Sequence, residues 1–175
     1  TAAVEEGYRY FDTASYYETE EYVAEAIRRS GLPREDFFIA TKLWKEEMGY
    51  EETLAAFERS AKRLNTDYID LYYAHTDDMD TPMEETVEAF DSLVKNGKVR
   101  VLGGSNYDTW RFSEFNMMAK EKGCTPYTVM QQRFSYLNCR LDLKPNYIFN
   151  ENVGRERLRY LENKDIPLVA YSSLI

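Results

Sequence analysis

Apolar residues in this chain gather into six short runs rich in β-branched and aromatic side chains. They are Tyr8–Thr13, Phe37–Lys42, Tyr68–His75, Val99–Asn106, Tyr127–Ser135 and Pro167–Ser172. Successive runs start roughly 30 residues apart, the length of one βαβ step. Several are almost wholly apolar rather than alternating, the pattern of parallel strands covered on both faces.

Helical periodicity fills the intervals. After Thr19, the residues Tyr22, Val23, Ala26 and Ile27 share a face, and Gly31 marks the stop. Leu54, Phe57, Ala61 and Leu64 line a second helix. Thr81-Pro82-Met83-Glu84 reads as a capping box with proline at the first helical position, ahead of a stripe of Val87, Phe90, Leu93 and Val94 that ends at Gly97. Phe112, Phe115, Met118 and Ala119 line a fourth helix ending at Gly123. A fifth is expected near Asn152–Asn163 with Leu158 and Leu161 in the core, and residues 136–151 read as a long loop over one face.

Strictly alternating β and α units fit either a doubly wound sheet or a closed barrel. Both ends of the chain read as cut: Thr1 leads straight into a helix-like segment, and Ile175 follows an apolar run. Six units between two cuts favour a TIM-type (β/α)8 barrel, which typically takes about 250 residues. Residues 1–175 are therefore expected to form one partial barrel domain, with no internal linker.

Composition narrows the function classes. The 175 residues are 43% hydrophobic and 30% charged, a globular balance. A net charge of −9, with no basic stripe, argues against a nucleic-acid partner. Two cysteines, Cys124 and Cys139, make no disulfide framework, so a reducing compartment, the cytoplasm, is expected. No apolar stretch reaches the roughly 20 residues of a membrane span, and residues 1–15 lack a signal-peptide core. The lone His75 disfavours zinc sites built from several imidazoles. Asp77, Asp78 and Asp80 read as a solvated loop, so no metal is expected. No GxGxxG occurs, which disfavours a Rossmann dehydrogenase.

Chemistry sits where the apolar runs end. The first closes on Asp12, followed by Tyr17; the second on Lys42; the third on His75; the fourth on Ser105-Asn106. The fifth carries Gln131, and the sixth closes on Tyr171 and Ser172. In a (β/α) barrel these C-terminal strand ends converge on the face where active sites are built. Trp44 and Tyr107, just past two strand ends, are candidates for the substrate pocket.

Phe11-Asp12-Thr13-Ala14 with Tyr17, Thr41-Lys42-Leu43-Trp44 and Asp70-Leu71-Tyr72-Tyr73-Ala74-His75 closely resemble motifs of the aldo-keto reductase superfamily. Gly104-Ser105-Asn106-Tyr107 and Val169-Ala170-Tyr171-Ser172 resemble two more, in order along the whole chain. Gln131-Gln132-Arg133-Phe134 departs from that family's more frequent Gln-Val-Glu-Tyr. The resemblance implies a catalytic tetrad of Asp12, Tyr17, Lys42 and His75. It gives the nicotinamide carboxamide to Ser105, Asn106 and Gln131, and stacks Tyr171, beside Ser172, on the nicotinamide ring. It implies reduction of an aldehyde or ketone with NADPH, NADH being the alternative, on a small-molecule carbonyl or alcohol substrate. On that chemistry Tyr17 is the proton donor, Lys42 lowers its pKa, Asp12 holds Lys42, and His75 orients the carbonyl oxygen. The same scaffold also serves as a nicotinamide-binding regulatory subunit, as in potassium-channel beta subunits; the complete tetrad favours the enzyme. The sequence carries no signature of oligomeric state.

Overall fold

A computed structural model describes residues 1–137 and 152–174. A short helix α1 (Ala2–Glu5) precedes strand β1 (Tyr10–Asp12). There follow α2 (Glu20–Ser30), β2 (Phe38–Leu43), α3 (Tyr50–Leu64), β3 (Ile69–Ala74), α4 (Met83–Lys95) and β4 (Val99–Ser105). Then come α5 (Thr109–Lys122), β5 (Val129–Arg133), α6 (Arg155–Lys164) and β6 (Leu168–Tyr171). All six strands are parallel and lie side by side in chain order. A doubly wound sheet reverses its order at a switch point. Here nothing reverses, and the sheet curls as a half-barrel.

The unbroken apolar runs are explained by two cores, one on each side of the sheet. Outward-facing Ile39, Leu43, Tyr72, Leu102 and Met130 pack with Phe57, Leu64, Phe90, Phe112, Phe115 and Leu161 of the helices. Burying each such side chain contributes roughly 1.5–3 kcal/mol. Inward-facing Ala40, Leu71 and Tyr73, with Val101 and Val129, form a smaller cluster inside the curl. Gly103 makes room for it: a Cβ there would lie 2.4 Å from the Tyr73 ring. A single methyl would thus collide with the floor beneath the strand ends.

Two buried carboxylates tie the layers together. At the N-terminal end of β3, Asp70 accepts hydrogen bonds from Arg34 and Arg100, both at 2.8 Å, and from the Ile39 amide at 2.9 Å. Both guanidiniums also lie over the Tyr68 ring. On the outer side, Glu20 accepts from Thr41 Oγ1 and from Arg63 Nε, each at 2.6 Å. A buried charge is tolerable only when paired in this way.

Several sequence expectations shift. Each strand is shorter than its apolar run, so Tyr8 (65% exposed), Tyr68 and Tyr127 fall outside the ladder. Tyr22 is exposed rather than part of the buried stripe of α2, because the stripe narrows to Val23 and Ile27. In α6, which begins at Arg155 rather than Asn152, Leu161 is buried but Leu158 faces outward. Thr81 makes no capping bond, and Pro82 stands one residue before the first turn of α4 rather than within it. The loop expected over 136–151 lies, from residue 138 on, outside the described residues, as does Cys139. Among the described residues, no helix is long and apolar enough to cross a membrane.

Candidate active site

Parallel register brings the polar strand ends to one place. Asp12 is opposite Ala40, and Lys42, two residues further along β2, is opposite Tyr73. The His75 amide donates to Leu43 O at 2.9 Å, continuing the ladder just past β3. A 3-10 turn over Ser15–Tyr17 folds Tyr17 back over this end, pinned by Ser15 Oγ donating to Lys42 O at 3.0 Å.

The four residues of the expected tetrad are thereby brought together, linked one to the next. Lys42, 1% exposed, donates through Nζ to Asp12 Oδ1 and, at 2.7 Å, to Thr13 O. Its Nζ stands 5.1 Å from the centre of the Tyr17 ring. The Tyr17 hydroxyl is 3.2 Å from His75 Nε2. Burial lowers the Lys42 pKa, and the Asp12 charge opposes that shift.

His75 is pushed down to about 4, chiefly by burial and then by the Lys42 charge, with Asp12 opposing. The imidazole is therefore neutral at physiological pH. Above pH 6.5 it is neutral folded or unfolded and has no effect on stability. Below 6.5 the unfolded chain takes up a proton that the folded chain refuses, so stability falls until the folded pKa is reached near 4. The full penalty is on the order of 3 kcal/mol. Urea melts between pH 7 and 4.5 should show this loss, and His75→Gln should reduce it. Identical acid sensitivity in the two proteins would mean that His75 is not held neutral.

Opposite the tetrad lie amide and hydroxyl groups. Asn106 adopts a left-handed backbone (φ 56°). Its Nδ2 donates to His75 O at 2.9 Å and Ser105 Oγ at 3.0 Å, while its Oδ1 accepts from Tyr171 Oη at 2.6 Å. Gln131 Nε2 donates to Asp12 Oδ2 at 2.7 Å across the mouth of the half-barrel. Together with Val169, Ala170 and Ser172, these groups line a cavity of about 560 Å³ that also reaches Asp12, Tyr17, Lys42 and His75. That is ample for a small ligand.

The aldo/keto reductase family model matches residues 1–175, the whole chain. The chain belongs to this family. The glyoxal reductase of Bacillus subtilis is 46% identical over 113 residues, covering 65% of this chain and 41% of that protein. The 9,11-endoperoxide prostaglandin H2 reductase of Trypanosoma cruzi is 44% identical over 172 residues, covering 98% of this chain and 54% of that protein. Among solved structures, a putative 2,5-diketo-D-gluconic acid reductase B superposes with a TM-score of 0.84 at 28% identity, over 99% of this chain and 55% of that one. The Bombyx mori aldo-keto reductase in complex with NADP gives 0.75 at 27%, over 97% and 53%. This aldo/keto reductase chain thus spans about half the length of the relatives it matches. The half-barrel corresponds to part of their (β/α)8 barrel.

Two expected pocket residues fare differently in this aldo/keto reductase chain. Tyr107 does not reach the cavity. The left-handed turn at Asn106 redirects the chain, and Tyr107 is buried beside Phe112, its hydroxyl 3.4 Å from that of Tyr127. Trp44 stands behind the lining, stacked on Tyr16 at 4.1 Å and edge-on to His75 at 5.2 Å. Sequence reasoning missed Tyr10, which lines the cavity and donates to Asp12 Oδ2 at 2.9 Å. The signal was present: residues two apart on a strand share a face. Of the acidic run after His75, Asp77 is half-buried and pairs with Arg111 at 2.7 Å, a tie outside the cavity lining.

Proposed function

We propose that the whole protein reduces a small aldehyde or ketone to the alcohol with NADPH, using Tyr17 as proton donor. The observation that carries this reading is the placement of the Tyr17 hydroxyl 3.2 Å from His75 Nε2, above a buried Lys42 that pairs with Asp12, at the edge of the cavity. Reductase relatives support the reaction class.

The residues present fit a nicotinamide. A carboxamide needs one donor and one acceptor set in a plane, and the Ser105 hydroxyl, Asn106 amide and Gln131 amide offer both along one wall. Tyr171, held by its hydroxyl bond to Asn106, presents an aromatic ring beside them. When bound, the cofactor supplies the hydride to the carbonyl carbon.

The chain's own groups handle the oxygen. An oxygen seated between Tyr17 Oη and His75 Nε2 receives a hydrogen bond from each when the neutral imidazole carries its proton on Nε2. As negative charge grows on that oxygen, Tyr17 gives up its proton. The Lys42 ammonium stabilises the phenolate left behind, and Asp12 keeps Lys42 charged despite its burial. General acid catalysis of this kind typically contributes about 10²–10⁴-fold. Following NADPH absorbance against a panel of aldehydes in the complete protein tests the reading. Steady consumption dependent on the aldehyde is expected, whereas NADPH binding without turnover on any carbonyl would point to a regulatory subunit on the same scaffold.

A further inference from the structure

Asp12 stands on the edge strand β1, and its Oδ1 is taken by Lys42. Its Oδ2 accepts two neutral donors from opposite sides of the half-barrel: Tyr10 Oη at 2.9 Å and Gln131 Nε2 at 2.7 Å. These two are not equivalent. Gln131 is an amide on the wall that fits the nicotinamide carboxamide, so its bond to Asp12 competes with that use. Tyr10 has no such second task. Its ring is stacked on Phe38 at 5.6 Å between centres, which fixes the hydroxyl relative to β1 and β2.

Resting on the carbonyl-reductase reading above, we propose that Tyr10 is a positioning residue that holds the Asp12 carboxylate, and through it the Lys42 ammonium, in place beneath Tyr17. Without the Tyr10 hydroxyl, Oδ2 keeps only Gln131, and the carboxylate can swing about its Cα–Cβ bond. Lys42 follows it and leaves its position below the phenol. Partial burial and then the Asp12 charge raise the Tyr10 pKa above that of a free phenol, so the hydroxyl stays a donor across the working pH range.

The groups facing Asp12 are few. They are Lys42 from β2, Tyr10 on its own strand and Gln131 from β5, with the buried Tyr73 and His75 from β3 close enough to feel its charge. Tyr17 faces Lys42 from the 3-10 turn. Removing a hydrogen-bond donor from Asp12 makes its carboxylate a stronger centre of negative charge. Deprotonation of both Lys42 and Tyr17 then moves to higher pH.

The test is Tyr10→Phe in the complete protein, read by kinetics and pH profile. The ring and its stacking remain, so the fold should hold. A hydrogen bond to a charged group is worth enough that kcat should fall about 10-fold. KM for the carbonyl should stay within about twofold, and the alkaline limb of kcat/KM should move up by about half a pH unit. Tyr10→His, which restores an N–H donor, should recover most of kcat; its own ionisation near neutral pH confines that comparison to the alkaline side. An unmoved alkaline limb in Tyr10→Phe, with kcat unchanged or fallen, overturns the proposal, as does a histidine variant no better than phenylalanine. Tyr17→Phe run in parallel keeps the two ideas apart. If it retains full turnover, the carbonyl-reductase assignment itself fails. If it is inactive while Tyr10→Phe matches the wild type, only the role of Tyr10 fails.

Discussion

Tyr17→Phe should lower kcat for carbonyl reduction by about 10²-fold or more while leaving NADPH affinity nearly unchanged. The substitution removes a single oxygen, the one 3.2 Å from His75 Nε2, and leaves the ring over Lys42. Ser105, Asn106 and Gln131 stay in place on the opposite wall, so nicotinamide contacts should persist. Single-turnover kinetics with saturating NADPH give the cleanest reading, because they separate the chemical step from release of product. Near-normal turnover would remove Tyr17 from its role. The neighbouring Tyr16, which lines the same cavity but stacks on Trp44, would be the next candidate.

The second large effect concerns residues 1–175 expressed alone. They should show negligible turnover, poor solubility and no saturable NADPH binding at micromolar concentrations. Among the described residues β1 pairs only with β2, and β6 only with β5, so the six-strand sheet presents two open ladders. Tyr10 and Phe38 are more than a third exposed beside the β1 edge. Exposed apolar edges recruit other chains. Asp12 sits on one of those edges, so the open ladder should loosen the candidate site as well as the fold. NADPH fluorescence titration with size-exclusion chromatography reads both. A soluble monomer that binds NADPH at micromolar levels would show that the sheet is closed in another way.

The strands were legible because they are buried on both faces, and the reason appears only in the two cores. Outward residues such as Tyr72 and Leu102 meet helices, while inward Leu71 and Tyr73 meet each other. Strand-end placement was legible for Asp12, Lys42, His75, Ser105 and Gln131 because each closes or punctuates an apolar run. Tyr10 carried a weaker signal, one of the chain's 15 tyrosines marked only by standing two residues before Asp12 on the same strand face. Tyr107 was misplaced because a left-handed Asn106 leaves no mark in the sequence strong enough to redirect its neighbour. The buried carboxylates Glu20 and Asp70 were invisible for a different reason. Their partners, Thr41, Arg63, Arg34 and Arg100, lie 21 to 43 residues away in the chain and share no periodicity with them.

Asp70 and His75 stand five positions apart on one run, which separates them by about 17 Å along the strand direction. Groups that far apart, with no shared partner, ordinarily change independently. The ion cluster of Asp70, Arg34 and Arg100 therefore acts as a keel at one end while the reactive groups ride at the other. On the carbonyl-reductase reading, variation at Tyr16 and Ser172, which line the cavity, should retune which ligand is accepted without drawing on the interactions that hold β2, β3 and β4 together. Strengthening the keel, in turn, leaves the chemistry untouched, so a designer can alter substrate choice and robustness in separate rounds and combine the results.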